Sequence, residues 1–164
     1  MAHPNAETLR RFYTAFSRLD AEAMADCYAP EARFDDEAFS LQGREQVAGM
    51  WRMLCAGALK SGAGHWKLEF SDIDADAQQG RAHWEARYLF SATGRQVHNI
   101  IDGHFTFTPE GLIATHRDRF NFWRWSSQAL GLPGLLLGWS PSLKRKVRST
   151  AAANLRRFLA APTS

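Results

Sequence analysis

The 164-residue sequence has few cysteines and no long apolar segment. Cys27 and Cys55 both lie in stretches with helical periodicity, and we interpret them as free buried thiols. No apolar run approaches the roughly 20 residues that a membrane-spanning helix needs. The first residues lack the charged-then-apolar pattern of a secretory leader. These features predict a cytoplasmic, reduced protein.

Acidic residues are absent after position 126, because all 17 of them occur before it. Residues 127–164 carry six Lys and Arg, so the first 126 residues hold 14 basic against 17 acidic side chains. The basic character therefore belongs to the tail and not to the main domain. We expect no nucleic-acid partner, because one short basic cluster is weak evidence for one.

Compact metal-ligand spacings are also missing. His98, Asp102 and His104 fall on one outer face of a strand-like run, where their spacing could mimic a metal site, but they do not form a compact ligand cluster. We expect neither a metal ion nor a cofactor. The chain contains no internal repeat and no low-complexity segment.

Aromatic residues, in contrast, are plentiful, with eleven Phe and six Trp. This content suits either a bulky core or an aromatic-lined cavity. The first helix carries one apolar stripe and has Asn5 as its expected N-cap. Asp20 is expected to cap a second helix that Pro30 ends. A short strand at 32–39 and a helix after Gly43 follow.

The period of the apolar residues changes to two after residue 65. Turn residues divide this region into four predicted antiparallel strands at 66–75, 81–92, 96–108 and 112–125. Helices followed by a strand meander predict an α+β fold, with helices on one face of a curved sheet. Ser140-Pro141 then predicts the start of a C-terminal helix.

Three stretches carry a resemblance to a known superfamily: 11–34, with Arg11-Phe12-Tyr13 and Tyr28-Ala29-Pro30; 41–45, with Leu41-Gln42-Gly43; and 104–118, ending His116-Arg117-Asp118. Their order resembles the nuclear-transport-factor-2-like (NTF2-like) superfamily. It includes SnoaL-like proteins, ketosteroid isomerases, polyketide cyclases and limonene-epoxide hydrolases. The resemblance implies a cone-shaped barrel at 5–125, a basic amphipathic helical extension at 126–164, and a homodimer formed through the outer face of the sheet.

The resemblance also places two carboxylates at functional positions. Asp36 stands where ketosteroid isomerases have a general base, although Phe12 and Gly103 replace their oxyanion donors. Asp118 stands where limonene-epoxide hydrolases protonate the epoxide. Trp84 and Ala86 replace the other charged pair of that enzyme, so both catalytic sets are incomplete.

Strand alternation predicts that these carboxylates enter one aromatic pocket. An apolar wall raises a carboxyl pKa by desolvation, and a second carboxylate raises one of the two further. The catalytic candidates are Asp36, Asp118 and His116. The predicted pocket-lining residues are Phe12, Tyr13, Phe16, Trp51, Trp84, Tyr88, Asn99, Ile101, Phe105 and Phe120.

Each candidate has a structural alternative. Asp36 could be a solvated strand end. Asp118 could pair with another arginine or hydrogen-bond His116 in a purely structural role. His116 is itself more often a satisfied core histidine than a catalyst. The function predicted is binding of a small apolar, oxygen-bearing molecule, with or without acid/base catalysis of the isomerase, cyclase or hydrolase type. A non-catalytic ligand-binding or protein-interaction module is the alternative.

The tail has three interpretations. It could cover the pocket as a lid, with Leu135, Leu136 and Trp139 inserted, or it could reach across a dimer. It could also rest on an anionic membrane surface through its apolar turn and basic helix. The sequence favours the lid or the dimer arm over the membrane contact.

Overall fold

Helices and strands are segregated along the chain in the computed structural model, which describes residues 2–161. The described residues form six helices and six strands: α1 Pro4–Ser17, α2 Ala21–Ala25, β1 Tyr28–Asp35, β2 Ser40–Gln42, α3 Arg44–Lys60, β3 Lys67–Ala75, β4 Gln79–Phe90, β5 Arg95–Phe107, β6 Ile113–Arg119, α4 Phe122–Leu130, α5 Leu132–Leu137 and α6 Pro141–Ala160. The predicted α+β class is therefore confirmed.

The six strands make one curved, open sheet in the order β2-β1-β6-β5-β4-β3. Every neighbouring pair is antiparallel except β1 and β6, which are parallel. Helix α1 packs on β3 and β4, and α3 packs on β1 and β2. The carboxyl ends of β1 and β6 consequently meet at the same edge of the molecule, because parallel strands end together.

Side-chain caps explain where several helices begin. Asp20 accepts a hydrogen bond from the backbone N–H of Ala23, and Ser140 accepts one from that of Leu143, as expected of N-caps. The expected cap at Asn5 is wrong. His3 caps α1 instead, and the side-chain amide of Asn5 donates to the backbone carbonyl of Asp76 at 2.9 Å.

Two predicted boundaries are wrong. The last strand does not continue to 125 but ends at Arg119, because Asn121 caps α4 through the backbone N–H of Arg124. Pro30 does not precede the first strand but lies inside β1, which starts at Tyr28. The alternation within the strands is as predicted, with His116 and Asp118 on the buried face of β6.

The C-terminal helices return to the first half of the chain. Helix α4 packs on β5, and α6 packs on α3, where Leu155 and Leu159 lie against Gly49. The division predicted at 125/126 falls within α4, and it stays a prediction. Within residues 2–161, no helix is both long and apolar enough to cross a bilayer.

Candidate functional site

Asp118 is a buried carboxylate on the concave face of the sheet, only 3 % exposed. Its Oδ1 lies 2.8 Å from Nε2 of His116 and 3.4 Å from Nε1 of Trp84. The indole N–H of Trp84 donates to this oxygen, and Nε2 of His116 shares a hydrogen bond with it. Its second oxygen makes no hydrogen bond with any of residues 2–161, and Asp118 lines a cavity.

A chain of hydrogen bonds continues behind His116. The hydroxyl of Tyr28 lies 2.7 Å from Nδ1 of His116, and the indole N–H of Trp51 donates to that hydroxyl at 3.0 Å. When Nε2 donates to Asp118, the neutral imidazole accepts at Nδ1, so Tyr28 donates its proton there. The ring of His116 is thereby held at both of its nitrogens in one orientation.

Tyr13 brings a second hydroxyl close to the same carboxylate. A Cβ at Gly103 would lie 3.0 Å from the hydroxyl of Tyr13 and 3.1 Å from Oδ1 of Asp118. The glycine therefore leaves room for both groups over β5. The Tyr13 hydroxyl is buried and has no partner among the described residues. Burial first, and then the charge of Asp118, raise the pKa of Tyr13 well above its usual value.

Asp36 follows β1 in a tight turn at the same edge. Its Oδ1 accepts from the backbone N–H groups of Ala38, at 2.7 Å, and Phe39, at 2.6 Å. Burial raises the pKa of Asp36 to about 7, although these two hydrogen bonds lower it; Asp118 raises it further and Arg148 lowers it. Asp36 therefore populates both protonation states near neutral pH.

Asp36 and Asp118 line one cavity of about 420 Å³. Its wall consists of charged residues from the ends of β1 and β6 and from α6, four acidic and four basic: Asp35, Asp36, Glu37, Arg117, Asp118, Arg119, Lys144 and Arg148. The lining is thus polar, in contrast to the apolar wall that the sequence predicts.

Helix α6 supplies one side of this cavity. Arg148 donates from Nη1 to the backbone carbonyls of Asp36, at 3.1 Å, and Glu37, at 3.2 Å. Lys144 forms an ion pair with the side chain of Glu37. The tail therefore meets the site through a basic helix.

The apolar turn before α6 does not enter the site. Leu135, Leu136 and Trp139 are 48 %, 63 % and 74 % exposed, so the expected insertion of these three side chains is wrong. They lie on the surface of the molecule.

The aromatic residues predicted to line a pocket pack mainly against one another. Ring centroids of Phe16 and Trp51 are 4.9 Å apart, and Phe105 lies 4.2 Å from His116. Seven of the ten predicted residues belong to the main buried core, Asn99 is also buried, and two are partly buried: Phe12, Tyr13, Phe16, Trp51, Trp84, Ile101 and Phe105 in the core, with Tyr88 and Phe120 at its edge. These side chains support the carboxylates from behind.

Tyr88 packs against a second, smaller apolar cluster that Val97 of β5 forms with Phe122, Trp125 and Ala129 of α4. Its hydroxyl accepts from the indole N–H of Trp125 at 3.0 Å, and burial raises its pKa to about 12. The charge of Asp36 adds to that increase, and the hydrogen bond from Trp125 opposes it.

Sequence reasoning did not identify Tyr28, Lys144 or Arg148 as site residues. Tyr28 was missed because the strand was expected to begin at 32. The two cations were missed because over one hundred residues separate them from the segment they contact.

The outer face of the sheet carries a separate set of charged pairs. His83 lies 2.9 Å from Asp102, and His98 lies 2.7 Å from Glu85. Among residues 2–161, no three His, Cys, Asp or Glu side chains are arranged to hold a metal ion.

Comparison with known proteins gives a family match over most of the folded region. The sequence profile described as a SnoaL-like domain matches residues 9–116. No curated protein sequence matches the chain.

Solved structures with the same fold include an LEH-like epoxide hydrolase from M. tuberculosis, with 18 % identity, a TM-score of 0.59, and coverage of 81 % of this chain and 95 % of that one. A candidate polyketide cyclase from Xanthomonas campestris pv. campestris has 18 % identity and a TM-score of 0.60, covering 76 % and 96 %. SalBIII, an epoxide hydrolase/cyclase-like enzyme of pyran ring formation in the polyether salinomycin, has 17 % identity and a TM-score of 0.56, covering 71 % and 90 %. At these identities the likeness establishes the fold.

Proposed function

The chain belongs to the SnoaL-like family of the NTF2-like superfamily, and we propose that it binds a small, oxygen-bearing organic molecule in the cavity between β1, β6 and α6 and transfers protons to or from it. One observation carries the proposal. Two carboxyl groups, one from the turn after β1 and one from β6, line the same cavity, and the first has a pKa of about 7. A general acid or base works best when its pKa lies near the working pH.

The two carboxyl groups have different surroundings and therefore different roles. Asp36 exchanges its proton readily near neutral pH, so it is the group that accepts or donates in the reaction. Asp118 is held at one oxygen by His116 and Trp84, which leaves the other oxygen to orient a ligand hydroxyl or a water molecule. His116 positions Asp118 and does not itself reach the cavity lining.

Two reaction types fit this arrangement. In a hydrolase, the pair would activate water and protonate the leaving oxygen of an epoxide. In an isomerase or cyclase, Asp36 would remove a proton beside a carbonyl group and return it elsewhere. The structural neighbours include an epoxide hydrolase and cyclase-type enzymes, so epoxides and ketones are the first probes.

The test incubates the protein with limonene oxide or styrene oxide in isotopically labelled water, and with a simple ketone in deuterated water, each beside a sample without protein. Mass spectrometry then detects labelled diol or deuterium beside the carbonyl. We expect one of these products from the unchanged protein. Asp36→Asn and Asp118→Asn should each lower its rate by about a hundredfold or more, because general acid/base groups contribute effects of that size.

Asp74→Asn is the matched control, since Asp74 is an exposed carboxylate on β3 that pairs with Arg81 of β4. It should keep the full rate. Equal rates in Asp36→Asn, Asp118→Asn and the control would contradict the assignment of the two carboxyl groups.

Non-catalytic binding is the second candidate. It is favoured by the filled aromatic core behind Asp118 and by the two cationic side chains from α6 at the cavity. A ligand that raises the melting temperature and is recovered unchanged would support this alternative. Turnover of the same ligand would contradict it.

The proposal keeps the cytoplasm as compartment and a homodimer as assembly. Both cysteines are free and buried, which suits a reducing environment. The outer face of the sheet, with its paired histidines and carboxylates, is the surface through which the dimer would form.

A further inference from the structure

Helix α5 turns its small residues toward the protein and its large residues away from it. A Cβ at Gly134 would lie 1.9 Å from the carbonyl oxygen of Ser126, and a Cβ at Gly138 would lie 2.3 Å from the Ser126 hydroxyl oxygen. Only glycine fits at this distance from α4. The helix therefore packs through its glycines, the reverse of the usual amphipathic arrangement.

The large residues of this region form a cluster on the surface, which we name the apolar tip. Its members lie within a 17-residue segment and are between 44 % and 74 % exposed: Trp123, Leu132, Leu135, Leu136, Leu137 and Trp139. Monomeric soluble proteins rarely expose contiguous apolar surface of this kind without a binding role.

The leucines of the tip point in several directions. Leu135, Leu136 and Leu137 are consecutive, and successive helical residues are about 100° apart around the axis. All three are about half exposed or more. A protein partner would cover only one side of such a helix. The apolar part of a lipid membrane can contact every side of the helix that the protein leaves free.

The segment of the chain that carries the tip contains charges of one sign only. No acidic residue follows Asp118, while eight Lys and Arg do. Arg145 and Lys146 are exposed in the first turns of α6, a few residues after Trp139. Exposed leucines and tryptophans, followed closely in the chain by exposed cations, match the interface of an anionic bilayer, where tryptophan and lysine side chains are favoured.

We propose that the apolar tip inserts into the headgroup region of an anionic lipid membrane, with Arg145 and Lys146 bound to lipid phosphates. Helix α5 is only about 9 Å long, so it reaches the boundary between headgroups and acyl chains and does not span the bilayer. The chain lies on the membrane as a peripheral protein.

Flotation with vesicles tests the proposal. The full chain is mixed with phosphatidylcholine vesicles, either pure or containing about 30 mol % phosphatidylglycerol. We expect binding to the anionic vesicles that weakens with added salt. Leu136→Glu/Trp139→Glu should reduce the bound fraction by about tenfold or more, because two apolar contacts are replaced by charges that the lipid repels.

Leu54→Glu/Leu59→Glu is the matched control. It makes the same change at two exposed leucines of α3, 42 % and 55 % exposed, and should bind like the unchanged protein. Arg145→Glu/Lys146→Glu should lose binding to anionic vesicles while its circular dichroism stays that of the unchanged protein. Trp139→Phe should bind but lose part of the blue shift in tryptophan fluorescence, since the inserted indole is gone.

Three results would overturn the proposal. The first is a chain that does not float with anionic vesicles. The second is a tip variant that binds as well as the α3 control. The third is a lipid-independent oligomer, seen by sedimentation, that the tip variant dissociates, because a second copy would then cover the tip.

Discussion

Tyr13 and Tyr28 each bury a hydroxyl group in the same core, but only the hydroxyl of Tyr28 is hydrogen-bonded among the described residues. Tyr28 lies between Trp51 and His116 and uses its hydroxyl for both, whereas the hydroxyl of Tyr13 has no partner among residues 2–161. A buried polar group without a partner destabilises the fold, and removing one partner of a buried hydrogen bond does so too.

Replacement of each tyrosine by phenylalanine should therefore have different effects. Tyr28→Phe leaves Nδ1 of His116 and the indole N–H of Trp51 unpaired, which should lower the free energy of unfolding by about 2–4 kcal/mol. Tyr13→Phe removes an unpaired hydroxyl and should be neutral or stabilising by about 1 kcal/mol. Urea unfolding of the two variants measures the difference. Equal losses would contradict the hydrogen-bond pattern described here.

Asp36 should make stability depend on pH. Its pKa rises from about 4 in the unfolded chain to about 7 in the fold, so the folded state binds the proton more tightly. Stability from this group is then complete below about pH 4, falls as the pH rises, and stays low above about pH 7. Asp36→Asn should be more stable than the unchanged protein by about 2–4 kcal/mol at pH 8, and by much less at pH 4.

Thermal or urea unfolding from pH 4 to pH 8 measures this difference, with Asp74→Asn as the comparison. Asparagine keeps the oxygen that accepts from Ala38 and Phe39, so the turn should survive the substitution. A difference that grows toward low pH would have the wrong sign and would rule out the raised pKa.

Strand alternation was sufficient to place His116 and Asp118 on the buried face, because a period of two needs only local sequence. It could not show that Tyr28 completes the hydrogen-bond chain, since that requires β1 to lie beside β6. Nor could it show that Arg148 contacts the backbone at 36 and 37, which depends on how α6 folds back.

At the scale of elements, the space around each helical glycine shows whether the helix packs tightly against a neighbour at that point. Gly134 of α5 has no room for a methyl group next to Ser126, whereas a Cβ at Gly57 of α3 would meet nothing within 4 Å. Gly134→Ala should lower the free energy of unfolding by about 1–3 kcal/mol through overpacking. Gly57→Ala should raise it by about 0.5–1 kcal/mol, because alanine favours the helix.

Limited proteolysis and thermal unfolding distinguish these two effects. Gly134→Ala should make the chain between α4 and α6 easier to cleave, and Gly57→Ala should leave that region protected. A Gly134→Ala variant as stable as Gly57→Ala would mean that α5 does not pack on α4 as described.

The elements that sequence predicts well are those with strong local signals. Asp20 and Ser140 cap helices where expected, because a side-chain acceptor beside free N–H groups is a local feature. The parallel pairing of β1 with β6, and the short strand β2, depend on neighbours far along the chain. The early end of β6 shows the same limit, since the aromatic residues after Arg119 suit a strand or a helix equally.

At the scale of the whole molecule, the predicted homodimer would use the outer face of the sheet. Ile100 is exposed on β5, where its cross-strand partner is Glu85, and it is an apolar residue of that face that a partner would cover. If the dimer forms, Ile100→Lys should raise its dissociation constant by about tenfold or more, because a lysine buried in the interface must lose its hydration. Leu59→Lys on α3 is the control.

Sedimentation equilibrium over a range of concentrations measures both variants. A chain that stays monomeric at all concentrations would contradict the dimer, and a dimer unaffected by Ile100→Lys would show that another surface forms it.

The guanidinium of Arg148 binds the edge of the cavity through backbone atoms and not through side chains. The acceptors are the carbonyl oxygens of Asp36 and Glu37, which every amino acid possesses. A change of side chain at either position consequently leaves this attachment of α6 in place. Evolution could thus replace the acid at position 36, and so change the chemistry of the cavity, while α6 keeps its position.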